Sequence, residues 1–202
     1  PDLWEATQAE RAASTGERVW VFDPQGVTGH SQAMWWDPLR GVTNVEEATR
    51  LAGHFITEIR GDKDGRDFWS SAAHDLLANL LLAAALSDRS LPEVYEWLTE
   101  PAVPTAANLL RAHGHHAAAA AVVGRQNGAV ETRDGVYETA RTAASVLRDP
   151  VIMRWLISPR VSGAEGCEEL GTAAFVTSRQ TLHLLSKNGA GTAAPLVAAL
   201  VD

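Results

Sequence analysis

Two short apolar runs near opposite ends of this chain read as strands, and the long stretch between them, residues 44–158, carries almost no strand signal. Arg18-Val19-Trp20-Val21-Phe22-Asp23 is apolar after its first residue and is broken at Asp23-Pro24-Gln25-Gly26. A run apolar at every position suits a strand covered on both faces, which favours a parallel sheet. Thr181-Leu182-His183-Leu184-Leu185-Ser186 reads as a second strand, followed by a glycine loop and a new helix. The expected fold is therefore mainly α: an all-α helical bundle inserted into a partial α/β core. The expected boundaries are 1–43 for the first core piece, 44–158 for the bundle and 159–202 for the second core piece. Such an arrangement reads as part of a larger machine rather than as a self-sufficient enzyme.

At 202 residues, 46% of them hydrophobic, the chain is long enough to bury a core of its own. The single cysteine, Cys167, excludes an internal disulfide framework and fits a reducing compartment. The longest apolar run, Leu76–Leu86, contains Asn79 and falls short of the roughly 18 residues of a membrane span. Asp2, Glu5 and Glu10 stand where a basic secretory leader would begin, so no signal peptide is expected. The formal net charge of −8 argues against DNA wrapped on a broad basic surface. The charge is uneven. Residues 44–100 hold 5 basic and 11 acidic side chains, while 101–157 hold 6 basic and 4 acidic, together with His113, His115 and His116.

Helical signals fill the middle. Asn44 is placed to cap a helix running to about Arg60, with Val45, Ala48, Leu51, Ala52, Phe55 and Ile59 on one face. Asp62–Asp67 reads as a charged turn. Phe68–Leu86 is apolar on most sides, so other helices should surround it. Ser90 and Glu93 form a capping-box pair ahead of a short helix. Thr105–His113 and His115–Arg125 read as helices around Gly114, and a further helix begins at Thr132 or Asp134. Pro150 is expected to interrupt or kink that helix before Ile152–Ile157 continues it. His30–Leu39, with Trp35 and Trp36, has no helical period and reads as a segment along the sheet edge; Val161–Gly171 reads as a connection.

The chemistry-bearing motifs are sparse. The loop Lys187-Asn188-Gly189-Ala190-Gly191-Thr192 follows a strand and precedes a helix, so its backbone N–H groups are placed to cradle an anion. It lacks the Gly-Lys-Ser/Thr that opens the helix of a Walker A loop, and also reads as a tight turn with Thr192 as cap and Pro195 in the first helical turn. Asp23, at the end of a parallel strand, stands where α/β enzymes place functional carboxylates, and Asp-Pro is equally a turn opener. Asp23, Gly189, Gly191 and Thr192 are thus the candidate nucleotide-proximal residues. His113-Gly114-His115-His116 has no Asp, Glu or Cys at ligand spacing, and no metal is expected there. No catalytic constellation is found.

An ordered set of segments resembles one family. Pro1-Asp2-Leu3-Trp4, Arg18-Val19-Trp20-Val21-Phe22-Asp23-Pro24, Trp36-Asp37-Pro38-Leu39, and Asp67-Phe68-Trp69 opening a long apolar helix resemble the conjugative coupling ATPases of type IV secretion (TraG/TraD-type). Thr181–Ser186 with Gly189-Ala190-Gly191 and Pro195-Leu196-Val197 is similar to the actinobacterial branch of that family. In that family a RecA-like motor domain carries an inserted all-α domain at the cytoplasmic mouth of the ring, implicated in substrate recognition. The resemblance implies that this chain spans the region between the Walker A loop and the Walker B strand, without either. It implies a hexameric parent using ATP and Mg²⁺, held at the inner face of the cell membrane by a segment upstream. It also implies a relaxase or other protein cargo, DNA, and secretion-channel components as partners. No cofactor and no ATP turnover are expected of this chain itself.

If DNA is touched, the mildly positive half of the bundle supplies Arg111, Arg125, Arg133 and Arg141 as phosphate contacts. The alternative readings are a freestanding helical adaptor for a protein partner, and a small α/β enzyme with a nucleotide pocket at Asp23 and Gly189–Gly191. The first leaves the buried-looking strand Val19–Phe22 unexplained. The second lacks a nucleophile, a base and a well-placed lysine.

Overall fold

The computed structural model describes residues 2–60, 68–187 and 192–202. The charged turn expected at 62–67 and the glycines Gly189 and Gly191 lie outside the described residues. The molecule is mainly helical with two small sheets. Helix α1 (Asp2–Thr15) leads to strand β1 (Val19–Phe22) and strand β2 (Met34–Trp35). A run of helices follows: α2 (Val45–Arg60), α3 (Phe68–Leu86), α4 (Leu91–Thr99), α5 (Thr105–Ala112), α6 (His116–Gln126) and α7 (Val130–Ala143). After a 3-10 turn over Ser145–Arg148 come α8 (Pro150–Met153), α9 (Pro159–Ser162), β3 (Glu168–Glu169), α10 (Thr172–Phe175), β4 (Thr181–Leu184) and α11 (Ala194–Val201).

The helix starts follow local chemistry. The Asn44 side-chain oxygen accepts the Glu47 N–H at 3.0 Å, and the Glu47 carboxylate accepts the Thr43 N–H at 2.6 Å, so orphan donors at the head of α2 are satisfied. The Glu93 carboxylate accepts the backbone N–H of Ser90 at 2.9 Å and its hydroxyl at 3.0 Å, the return half of the expected capping box. Pro150 does not kink a continuing helix. The chain leaves α7 at Ala143, and Asp149 caps a separate helix by accepting the Val151 N–H at 2.8 Å, with Pro150 in the first turn, where its missing N–H costs nothing.

Helix α3 is the axis of the bundle. Leu76, Leu77, Leu80, Leu81 and Leu82 are all buried, and α2, α4, α5, α6 and α7 pack around it. That arrangement follows from a helix apolar on most sides.

Strands β1 and β4 pair in parallel, Val19 opposite Thr181 through Phe22 opposite Leu184. A parallel pair needs a crossover, and here the crossover contains the whole helical bundle. The expected burial of β1 on both faces is corrected: Trp20 and Phe22 are buried, but Val19 and Val21, on the other face, are only half-buried. The segment expected along the sheet edge forms a second parallel pair instead, with Met34 opposite Glu168 and Trp35 opposite Glu169. Glu168 N–H donates to Ala33 O at 3.1 Å and Leu170 N–H to Trp35 O at 2.9 Å.

Core piece and bundle share one apolar core. The Phe22 ring packs edge-on against Trp36 and Trp155, with centroids 6.4 and 5.6 Å away, and Trp36 N–H donates to Trp155 O at 2.8 Å. Leu196 of α11 belongs to the same buried cluster, and α11 lies against α2.

Candidate functional site

The carboxyl ends of β1 and β4 lie side by side, with Leu185 N–H donating to Phe22 O at 2.9 Å. Ligands of open parallel sheets bind at that end. Asp23 stands there, 4% exposed. One carboxylate oxygen accepts the Val27 N–H at 2.7 Å; the other accepts the Thr28 N–H at 2.8 Å and the Thr28 hydroxyl at 2.7 Å. Its charge is spent on folding the 23–28 loop back onto the strand end, where Gly26 supplies the left-handed backbone (φ +62°) the turn requires. The turn-opener role of Asp23 is therefore realised.

Gln25 ties the two strand ends together. Its side-chain oxygen accepts the Lys187 N–H at 2.9 Å and the Ala193 N–H at 3.2 Å, so it grips both sides of the 188–191 segment. The sequence reading missed Gln25, since Asp-Pro-Gln-Gly signals a turn and nothing more. Thr192 is buried at 5% exposure, and its hydroxyl accepts the Ala194 N–H at 3.4 Å, at the head of α11. Asp23 and Thr192 thus stand at the same end of the sheet, joined through Gln25.

The four arginines do not form one patch. Arg133 and Arg141 lie along one stripe of α7 and line a cleft of about 400 Å³ with Tyr137, Pro101 and Ala102. Each has a carboxylate neighbour: Arg133 Nε is 2.9 Å from Asp134 and Arg141 Nε 3.1 Å from Glu138, while Arg141 also reaches Leu98 O at 3.3 Å. Burial pushes the Tyr137 hydroxyl above its ordinary pKa, against the opposing pull of a Gln126 hydrogen bond and the Arg133 charge. Arg111 and Arg125 sit in the last turns of α5 and α6, which pack on each other. Arg111 donates to the neutral Asn108 side chain at 3.0 Å, and Arg125 makes no ion pair among the described residues.

A cleft of about 530 Å³ lies between the 36–42 segment, α2, α10 and α11. Arg40 pairs with Glu169 at 2.7 Å, and Asp202 is held by Arg50 at 3.3 Å and His54 at 3.4 Å. Burial raises the Asp37 carboxyl pKa, opposed by the Leu39 N–H and the Arg40 charge. These residues come from segments far apart in sequence, so no motif announces the cleft. Among the described residues, no group of three His, Cys, Asp or Glu side chains is placed to hold a metal ion, and no helix is long and apolar enough to cross a membrane. Comparison with family models, curated proteins and solved structures finds no match to this chain.

Proposed function

We propose that this chain is the substrate-recognising all-α domain, with flanking pieces of a RecA-like motor, of a hexameric coupling ATPase that delivers relaxase–DNA or another protein cargo to a type IV secretion channel. The observation that supports this reading most is the parallel pairing of β1 with β4, neighbours in one sheet although the helical bundle lies between them in sequence. A freestanding helical adaptor has no need of such a pair, and two parallel strands alone bury little backbone. The family resemblance of the segments that flank and open the bundle supplies the activity, the ATP and Mg²⁺ of the parent, and its place at the inner face of the membrane.

Cargo contact in this reading is mainly to protein. The net charge is −8, and two of the four candidate arginines already face carboxylates. DNA contact falls to Arg111 and Arg125 on the paired helices α5 and α6. The test is fluorescence anisotropy of labelled single- and double-stranded DNA across a salt series. Weak binding to the single strand with a log–log salt slope of about −1.4 is expected, the value for two phosphates. Arg111→Glu with Arg125→Glu abolishes it, whereas Arg133→Glu with Arg141→Glu leaves it nearly unchanged. No binding at low salt removes DNA from the role and leaves protein cargo alone. The motor itself is tested by the coding sequence on either side: a phosphate loop ahead and an acidic Walker B strand behind support it, and unrelated domains refute it.

A further inference from the structure

Arg148, Arg154 and Arg160 recur at six-residue intervals along the segment that holds the 3-10 turn, α8 and α9. All three side chains are exposed, and none makes a hydrogen bond or an ion pair among the described residues. Arg133 and Arg141 of α7, by contrast, each meet a carboxylate. Two aliphatic side chains stand out among the three arginines, Val151 at 56% and Val161 at 78% exposure. Arg148, Val151 and Arg154 are spaced by three, so they share one side of this 3-10 and helical stretch, while Ile152, Met153, Trp155 and Leu156 are buried beneath. Arg160 and Val161 continue the exposed run into the first turn of α9.

The chain's own carboxylates leave this face uncompensated. The protein holds 25 acidic residues against 17 Lys and Arg, yet Asp149 turns its carboxylate to the Val151 N–H at 2.8 Å, and the exposed Glu165 pairs with no arginine. A guanidinium is a fork that fits the two oxygens of a carboxylate, and it is weakly enough hydrated to be desolvated at an interface. Nucleic acid fits this face less well: single strands are held by cations interleaved with exposed aromatic rings, and the one ring of the segment, Trp155, is 7% exposed. An anionic membrane also fits less well, since such surfaces recruit clusters of roughly four to eight basic residues.

We propose that this face docks an acidic segment of a partner protein that carries aliphatic side chains between its carboxylates. The arginines take the carboxylates in charge-assisted hydrogen bonds, and the partner's aliphatic groups cover Val151 and Val161. The face is independent of the motor reading, and it is separate in sequence from Arg111 and Arg125, to which DNA contact falls.

The test is fluorescence anisotropy of a labelled peptide repeating Glu-Glu-Leu, titrated with the whole chain across a salt series. Peptides with Lys in place of Glu and with Ser in place of Leu, and a labelled deoxythymidine oligonucleotide, serve as comparisons. The Glu-Glu-Leu peptide is expected to bind, more weakly as salt rises, and the Lys peptide not to bind. Arg148→Gln, Arg154→Gln and Arg160→Gln together are expected to weaken binding about tenfold, and Val151→Ser with Val161→Ser about threefold. Helical circular dichroism and melting temperature stay unchanged in both variants, since every replaced side chain is exposed. Arg111→Gln with Arg125→Gln leaves the peptide affinity unchanged. No binding of the Glu-Glu-Leu peptide at low salt overturns the docking face, as does an affinity unchanged in the triple arginine variant. Equal affinity for the Ser peptide overturns the role of the two valines. An oligonucleotide that binds more tightly than the peptide, and is lost in the same triple variant, overturns the protein partner and assigns the face to a phosphate backbone.

Discussion

Protonating His183 works against this fold. The ring is half-buried on β4, its Nε2 has no partner among the described residues, and burial, aided by the Arg11 charge, holds its pKa below the ordinary 6.5. Above that ordinary value the imidazole is neutral in both folded and unfolded chains and contributes no pH dependence. As pH falls through it, the unfolded chain binds the proton first, so stability drops until the folded value is passed. The urea midpoint is therefore expected to fall between about pH 7 and pH 5, and His183→Gln to flatten that fall relative to the unsubstituted chain. An unchanged pH profile in the variant would contradict this placement of the ring. Asp23 makes a related point. Its two readings, turn opener and functional carboxylate, look identical in sequence, because both put an Asp at a strand end. Three hydrogen bonds from Val27 and Thr28 establish the turn-opening role, and only the folded loop shows them.

Helix boundaries are the most legible elements, because caps act within a few residues of themselves. Asn44 and Glu93 sit where their side-chain chemistry places them. A proline inside a helical pattern interrupts or kinks it, and sequence leaves the two open; at Pro150 the Asp149 cap makes it an interruption and the start of a separate helix. Packing between helices sets limits that propensity cannot. Gly135 lies within α7, where alanine would ordinarily stabilise the helix by about 1 kcal/mol. A Cβ there would stand 2.6 Å from the Trp69 ring of α3. Gly135→Ala is therefore expected to gain no thermal stability and to shift indole emission to the red as Trp69 swings toward solvent, which it can do at 37% exposure. A melting temperature raised by several degrees with unchanged emission would show that the contact is looser than this.

For the whole molecule, the shared core matters most. Trp36 and Trp155 press on Phe22 of β1, and α11 covers part of α2, so the strand pair and the bundle have no separate apolar interior. Unfolding in urea should therefore superimpose when followed by helical circular dichroism and by tryptophan fluorescence, as for one cooperative unit. Two separated transitions would divide the bundle from the flanking pieces. The sequence by itself determined where α2 and α4 start, that α3 is enclosed, and that Val19–Phe22 and Thr181–Leu184 are strands, since periodicity and capping are written within a turn or two of chain. It did not determine that Met34-Trp35 would pair with Glu168-Glu169, two residues with little strand preference of their own. Nor did it show that Gln25 would bridge the two strand ends, or that Arg133 and Arg141 would meet carboxylates. Those features depend on which distant surfaces meet, and shape and charge complementarity between remote segments exists only once the chain has folded.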